Sequence, residues 1–462
     1  AITTIINFRV NNMGSRTSFL EIINETENDI ILITVDETDN YDWDGNSRPD
    51  HNFNGVTLSK HKSKKEREEL NSNAQSAWFR MHIILSNGDK ISFKNDQQDA
   101  FSNIQRIYKL DGSKSQDYTV FQSNSGDEVN TFKIFPFSLK KWMKSIPDNT
   151  SLLNMSIPGT HDSCATEISE HFFDDLPDFI KGLIDDSLNI TIGKFAQCQN
   201  WDLTEQLENG VRFLDIRAEA KERSTGDYLK LRHGFFELPM VFNDVLKEVI
   251  KFLKGNPSET ILLQLKQESS NWDPIDYANL VQTYINNNAY KDYFLITDHI
   301  PTIGEARGKI VLINRFINSN DFGFSVNDWE DNASFSKKNN GIQYNVQDNY
   351  YVPSDSIEWC RDDKMNHVNY FFDKFAFQRD SLNLCFCSAV GLTDVNSAED
   401  LLKIRPWALP ITLAAGPNGV NERTSKQHLQ SKRSWNGVIL FDFIDSYYFL
   451  TIPYIVNNNF SK

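Results

Sequence analysis

Ten side chains in the later two thirds of the sequence carry chemistry that a single cleft could use. They are His161 and Asp162, Asp215 and Arg217, His233, Lys266, Arg315, Asp348, Tyr350 and Asp442. Imidazole is the side chain whose ordinary pKa lies near neutrality, so two histidines can serve as base and acid in one reaction. The cations among the ten can hold an anion such as a phosphate. Any one of these groups alone reads as a satisfied surface residue or a structural ion pair. Their recurrence at the ends of successive apolar runs is not explained that way, because barrel folds concentrate function at the carboxyl ends of their strands.

The apolar runs that must position them lie at 152–157, 212–216, 228–231, 260–265, 309–314, 342–346, 382–388 and 437–442. Pro158-Gly159 is expected to stop the first run just before His161. Between the runs, 241–253 and 276–288 carry apolar residues at helical spacing. Strands alternating with helices predict a parallel sheet, and eight of them predict an α/β fold of the (β/α)8 TIM-type barrel, distorted or incomplete forms included. This catalytic unit is expected to span 139–462. No metal-ligand spacing accompanies the set. The second strand ends Asp215-Ile-Arg217, which puts a guanidinium where a divalent ion would otherwise neutralise phosphate charge.

Residues 1–138 read differently, as an all-β, sandwich-like domain. Short runs at 5–10, 19–23 and 29–35 have strand character. Asn87-Gly88 between 78–85 and 90–93 is a hairpin signal, and a second is expected around Ser125-Gly126, between 118–121 and 131–135. The basic run 60–65 with the acidic residues after it reads as a solvated loop or short helix. Tyr41 and Trp43 fall on an expected loop, where they would touch lipid or sugar or pack on their own domain. No catalytic signature appears here. The domain is expected to serve targeting or adhesion, with a lipid, a glycan or a protein as partner.

The whole chain has 462 residues and a formal charge of −16, which argues against nucleic-acid binding. Asp442 and Asp445 interrupt the apolar stretch 438–456, so a buried strand is expected there rather than a membrane span. The cysteines 164, 198, 360, 385 and 387 lack metal-site spacing and read as buried free thiols. Between Ser163 and Asn200, Phe172, Phe173, Phe179 and Ile180 form either an interfacial lip or an amphipathic helix packed on the barrel.

Several spaced motifs together resemble phosphatidylinositol-specific phospholipase C of the bacterial type. They are Ser156-Ile-Pro-Gly-Thr-His-Asp-Ser163, Trp201-Asp-Leu-Thr-Glu-Gln-Leu207, Gly210-Val-Arg-Phe-Leu-Asp-Ile-Arg217 and Arg232-His-Gly234. Asn256-Pro-Ser-Glu-Thr260 leading to Lys266, Gly308-Lys-Ile-Val-Leu312 and Val346-Gln-Asp-Asn-Tyr350 extend the likeness, which covers roughly 139–456. The resemblance implies a phosphodiesterase that splits phosphatidylinositol, and glycosylated anchors of the same lipid, into diacylglycerol and a cyclic inositol phosphate. It implies that His161, oriented by Asp442, is the general base and that His233, supported by Asp162, is the general acid. Arg217 with Asp215 would bind the phosphate in place of calcium, so no cofactor is expected. Lys266, Arg315, Asp348 and Tyr350 would form the inositol pocket. The partner would be a phosphatidylinositol-containing membrane, met peripherally by a secreted or extracellular protein. The competing readings are a metal-dependent glycerophosphodiesterase or a D-type sphingomyelinase, and a lipid- or glycan-binding barrel without activity.

Overall fold

The computed structural model describes residues 15–39, 41–42, 53, 55–71, 77–97, 105–112, 115–124, 129–268, 272–318, 320–391, 395–405, 407, 409–431, 434–445 and 451–460. The expected strand 5–10, Trp43 and the turn Ser125-Gly126 lie outside these residues. The chain divides into two compact units, Ala1–Ser138 and Leu139–Lys462.

In the first unit a six-stranded sheet runs Tyr41–Asp42, Ser63–Asn71, Ser15–Asn24, Val129–Phe135, Thr119–Asn124 and Arg106–Ile107 in spatial order. A four-stranded sheet runs Ile30–Asp39, Ala77–Leu85, Lys90–Gln97 and Leu110–Asp111. The first of the two hairpins is present, with Gly88 at φ +85°, a conformation that glycine adopts without a Cβ clash. Leu20, Ile22 and Phe132 from one sheet and Ile33, Phe79, Ile83 and Phe93 from the other are fully buried in a shared core. The charged stretch after Lys62 is not a loop or helix. Ser63–Asn71 is a strand antiparallel to Ser15–Asn24, and Lys65 lies over the Phe19 ring at 4.5 Å. Charge on a strand near a sheet's edge discourages pairing with other chains, so a polar composition here does not exclude strand structure.

In the second unit seven parallel strands stand side by side: Ile310–Arg315, Ile261–Gln267, Phe213–Lys221, Ser156–Thr160, Gly437–Phe441, Ser381–Phe386 and Ile342–Gln347. Phe242–Gly255 buries Val245, Leu246, Val249, Ile250 and Leu253 along one face, as the apolar spacing requires. Among the described residues no ladder joins Ile342–Gln347 to Ile310–Arg315, so the ring of strands has a seam there. The run at 228–231 is not a barrel stave. Tyr228–His233 folds back antiparallel on Phe213–Lys221 and pairs with Phe236–Val241. Only residues 222–227 separate it from the preceding strand, which is too short for the crossover that a parallel neighbour needs.

The first barrel strand also differs from expectation. Leu152–Asn154 is a 3-10 turn, and Pro158-Gly159 lie inside the strand Ser156–Thr160 rather than ending it. Pro158 has no N–H to donate, but its carbonyl still accepts from the Arg212 N–H at 2.9 Å. At Gly159 a Cβ would stand 2.9 Å from Val438 Cγ1 and 3.1 Å from Leu440 Cγ. Gly159→Ala is therefore expected to destabilise the protein by about 1–3 kcal/mol through overpacking. Urea denaturation measures this, and an unchanged midpoint would show that the barrel wall yields without cost.

Between Ser163 and Asn200 the chain forms the short helix Asp178–Lys181 and the helix Asp186–Ala196. Phe172 and Ile180 are buried against Ile192, Phe195 and Phe236. Phe179, Leu183 and Ile190 instead face outward, at 61%, 60% and 60% exposure. Phe172 and Ile180 thus pack as the helix reading expects, while Phe179 is left exposed. Among the described residues, no helix is long and apolar enough to cross a membrane.

Candidate active site

Each barrel strand delivers its terminal side chain to the same mouth. His161 follows Thr160, and its backbone N–H donates to the Phe441 carbonyl at 3.1 Å, which binds the ends of the first and last strands together. Asp442 follows Phe441, and its Oδ1 lies 2.7 Å from His161 Nδ1. A carboxylate accepts, so Nδ1 carries the proton and Nε2 of His161 keeps its lone pair. Gln199 locks this corner by donating to the carbonyls of both His161 and Phe441, at 2.9 and 2.8 Å.

His233 reaches the mouth from the tip of the hairpin. Its Nδ1 donates to the Ala196 carbonyl at 2.8 Å, which leaves Nε2 as the open nitrogen. The two imidazole rings stand 5.7 Å apart and nearly perpendicular. Burial, with the neighbouring His161 and Arg217, pulls the pKa of His233 down to about 4. Its ring is therefore neutral at pH 7 in the free site.

Arg217 is fixed from below. Its Nε and a terminal nitrogen donate to Asp215 Oδ2 at 3.1 and 2.9 Å. Asp215 also accepts from Gln264 at 3.1 Å and from the Asp162 backbone N–H at 3.1 Å. Burial opposes ionisation of Asp215, but Arg217, His161 and Arg315 outweigh it and hold the carboxyl well below the usual range. Asp162 sits at φ +37° with its carboxylate 3.8 Å from Arg217. Burial, only partly offset by Arg217, raises its pKa well above normal. The expected support of His233 by Asp162 is not seen: Asp162 faces Arg217, while His233 is held by the Ala196 carbonyl. The backbone at Asp162 is directed by its own N–H bond to Asp215, which turns the side chain beneath the guanidinium.

Lys266, Arg315, Asp348 and Tyr350 line the same cavity, whose volume is about 630 Å³. Asp162 and Asp215 stand behind Arg217 and do not line it. Two further groups escaped the sequence reading. Glu268 is ion-paired with Lys266, Oε2 to Nζ at 2.6 Å, and although burial opposes it, Lys266 and Arg217 bring its pKa down to about 2. Its position two residues beyond Lys266, on the same face of an extended chain, was a usable signal. Trp329 lies 3.6 Å from the Arg315 guanidinium and donates through Nε1 to Asp348 at 3.0 Å. It belongs to a loop with no periodicity to announce it.

The architecture is thus an α/β barrel whose strand ends gather two histidines, three cations and their carboxylates around one polar cavity. Residues 183–316 match the family model described as phosphatidylinositol-specific phospholipase C, X domain. The chain is 36% identical over 198 residues to a 1-phosphatidylinositol phosphodiesterase of Listeria monocytogenes, covering 40% of this chain and 53% of that protein. It is 30% identical over 225 residues to a protein of the same name from Staphylococcus aureus, covering 46% of this chain and 65% of that one. The match therefore spans between half and two thirds of these relatives' length. A crystal structure of phosphatidylinositol-specific phospholipase C from Staphylococcus aureus superposes with a TM-score of 0.53 at 23% identity, over 70% of this chain and 97% of that one. The fold is of that barrel type. The resemblance carried by the motifs to phosphatidylinositol-specific phospholipase C is shown by the family match and the relatives. The family match takes in Asp215, Arg217, His233, Lys266 and Arg315, while His161 and Asp442 lie beyond it.

Proposed function

We propose that the protein is a phosphatidylinositol-specific phospholipase C, cleaving phosphatidylinositol to diacylglycerol and a cyclic inositol phosphate. The observation that carries this reading is the pair of imidazoles 5.7 Å apart beside Arg217. His161 Nε2 takes the proton of the inositol 2-hydroxyl, and Asp442 stabilises the imidazolium so formed. The hydroxyl oxygen attacks phosphorus, and His233 gives a proton to the departing diacylglycerol oxygen. Arg217 meets the non-bridging phosphate oxygens, with Asp215 as its counter-charge. Lys266, Glu268, Arg315 and Asp348 bond the inositol hydroxyls, and Tyr350 stacks on the ring. No metal is required in this scheme. Glycosylated phosphatidylinositol is a second substrate of the same chemistry.

Phe179, Leu183 and Ile190 support contact with a membrane surface, since exposed apolar side chains seek the lipid interface. We read the protein as secreted, acting peripherally on that surface. Residues 1–138 form a sandwich-like targeting or adhesion domain, and residues 139–462 form the catalytic barrel. Phosphatidylinositol vesicles with EDTA present test the central reading. Cyclic inositol phosphate should form at an undiminished rate. Loss of activity on chelation, restored by calcium, would favour the metal-dependent alternatives.

The pH dependence follows from His233. A general acid must be protonated, so its contribution is lost as pH rises through its pKa. In the free site that pKa is about 4. A bound phosphodiester anion stabilises the imidazolium and moves the pKa upward. The falling alkaline limb of kcat should therefore lie at higher pH than that of kcat/KM. Coincident limbs in the two profiles would contradict this role for the substrate's charge.

A further inference from the structure

Cys198 lines the cavity, yet the proposed mechanism gives it no part. Its sulfur lies 3.6 Å from Nδ1 and 3.8 Å from Nε2 of His233. Donor atoms of His161, Cys198 and Asp442 all fall within 4.8 Å of one another, and all three residues are buried. In a tetrahedral zinc site with thiolate and imidazole ligands, donor atoms stand roughly 3.3–3.6 Å apart. His161 Nδ1 and Asp442 Oδ1 lie 2.7 Å apart and all three donor atoms within 4.8 Å, so shifts of about 1 Å bring the cluster to that spacing. The donor chemistry selects the ion. A thiol and an imidazole beside one carboxylate suit Zn²⁺ and other borderline-soft divalent cations, whereas Ca²⁺ and Mg²⁺ prefer sets made of oxygen.

We infer that His161, Cys198 and Asp442, with His233 beside the sulfur, form an inhibitory binding site for Zn²⁺ at the heart of the cavity. As the sulfur–metal bond forms, the proton of the thiol leaves to the buffer, so one proton is released per ion. The imidazoles bind in their neutral form. An ion held by Asp442 and by Nδ1 of His161 moves the ring's proton to Nε2, which takes away the lone pair of the base, and removing the ion restores it. The effect on rate rests on the reading of His161 and His233 as base and acid, but the binding itself does not.

The test uses the full chain, stripped of metal. Co²⁺ is titrated as a spectroscopic stand-in for Zn²⁺ while thiolate-to-cobalt charge-transfer absorption is followed in the near ultraviolet. One equivalent should produce the band, and Zn²⁺ should abolish it. Zn²⁺ should also slow phosphatidylinositol hydrolysis, with full recovery on EDTA. In Cys198→Ser the band should vanish. The Zn²⁺ concentration for half-inhibition, judged against that variant's own zinc-free rate, should rise at least tenfold. In the unaltered protein, Zn²⁺ should slow alkylation of Cys198 by iodoacetamide, read by peptide mass spectrometry, at least tenfold; this does not depend on the variant's folding. No band, a band that persists in Cys198→Ser, or alkylation indifferent to Zn²⁺ would overturn the site. A normal band in a protein with no activity on phosphatidylinositol would sustain the site and defeat the functional reading instead.

Discussion

His161→Ala and His233→Ala should each slow phosphatidylinositol cleavage by about 100- to 10,000-fold, the range that one positioned acid or base supplies. On the proposed reading the two duties differ by what each ring can give. Asp442 fixes the proton of His161 on Nδ1, which leaves a lone pair aimed at the cavity. His233 has its Nδ1 proton committed to the Ala196 carbonyl, so the proton for the leaving group must ride on Nε2. The two losses should combine to less than their product, because both groups serve one step. A substrate with a nitrophenol leaving group needs little protonation of the departing oxygen. It should rescue His233→Ala substantially and His161→Ala hardly at all. Circular dichroism of both variants checks that the fold persists, and equal rescue of the two would reverse or dissolve the assignment.

Arg217→Leu should cost both rate and stability. Loss of one preorganised donor to a developing oxyanion typically costs about 100- to 1,000-fold. The stability cost has a separate cause. The guanidinium bonds Asp215 at 2.9 Å and stands 3.8 Å from Asp162, and both carboxylates are buried. Removing the guanidinium strands the ionised Asp215, and breaking a buried pair in this way typically costs about 3–5 kcal/mol. Arg217→Leu combined with Asp215→Asn should regain part of the stability and none of the rate, since the orphaned charge is gone but the phosphate ligand is not restored. Denaturant titration alongside turnover measures both. A double variant no more stable than Arg217→Leu would mean that Asp215 is held by Gln264 and the backbone alone.

The strand-end residues were legible because barrel chemistry leaves a mark in sequence: an apolar run followed by a titratable group. His161, Lys266, Arg315 and Asp348 stand where that pattern puts them, whereas Asp215 and Arg217 lie inside a strand that runs on to Lys221. The pattern does not record strand direction. Leu229 and Leu231 are buried in the hairpin as they would be in a barrel stave, so apolar alternation could not tell the two apart. The short connection at 222–227 could have. Pro158-Gly159 misled for a different reason. Breaker rules describe isolated backbone, whereas here the neighbouring strands press so closely that only a residue without a side chain fits at 159. Cys198 left no mark, since its significance lies wholly in which distant residues surround it.

The hairpin that carries His233 gives the site two kinds of support. On the proposed reading the base is embedded in the staves, where a shift of register would disturb the whole wall. The acid is borne on an appendage of two antiparallel strands, and its tip is seated by the carbonyl of Ala196 at the end of a helix. A change confined to that appendage would therefore alter how the leaving group is handled while attack on phosphorus stayed the same.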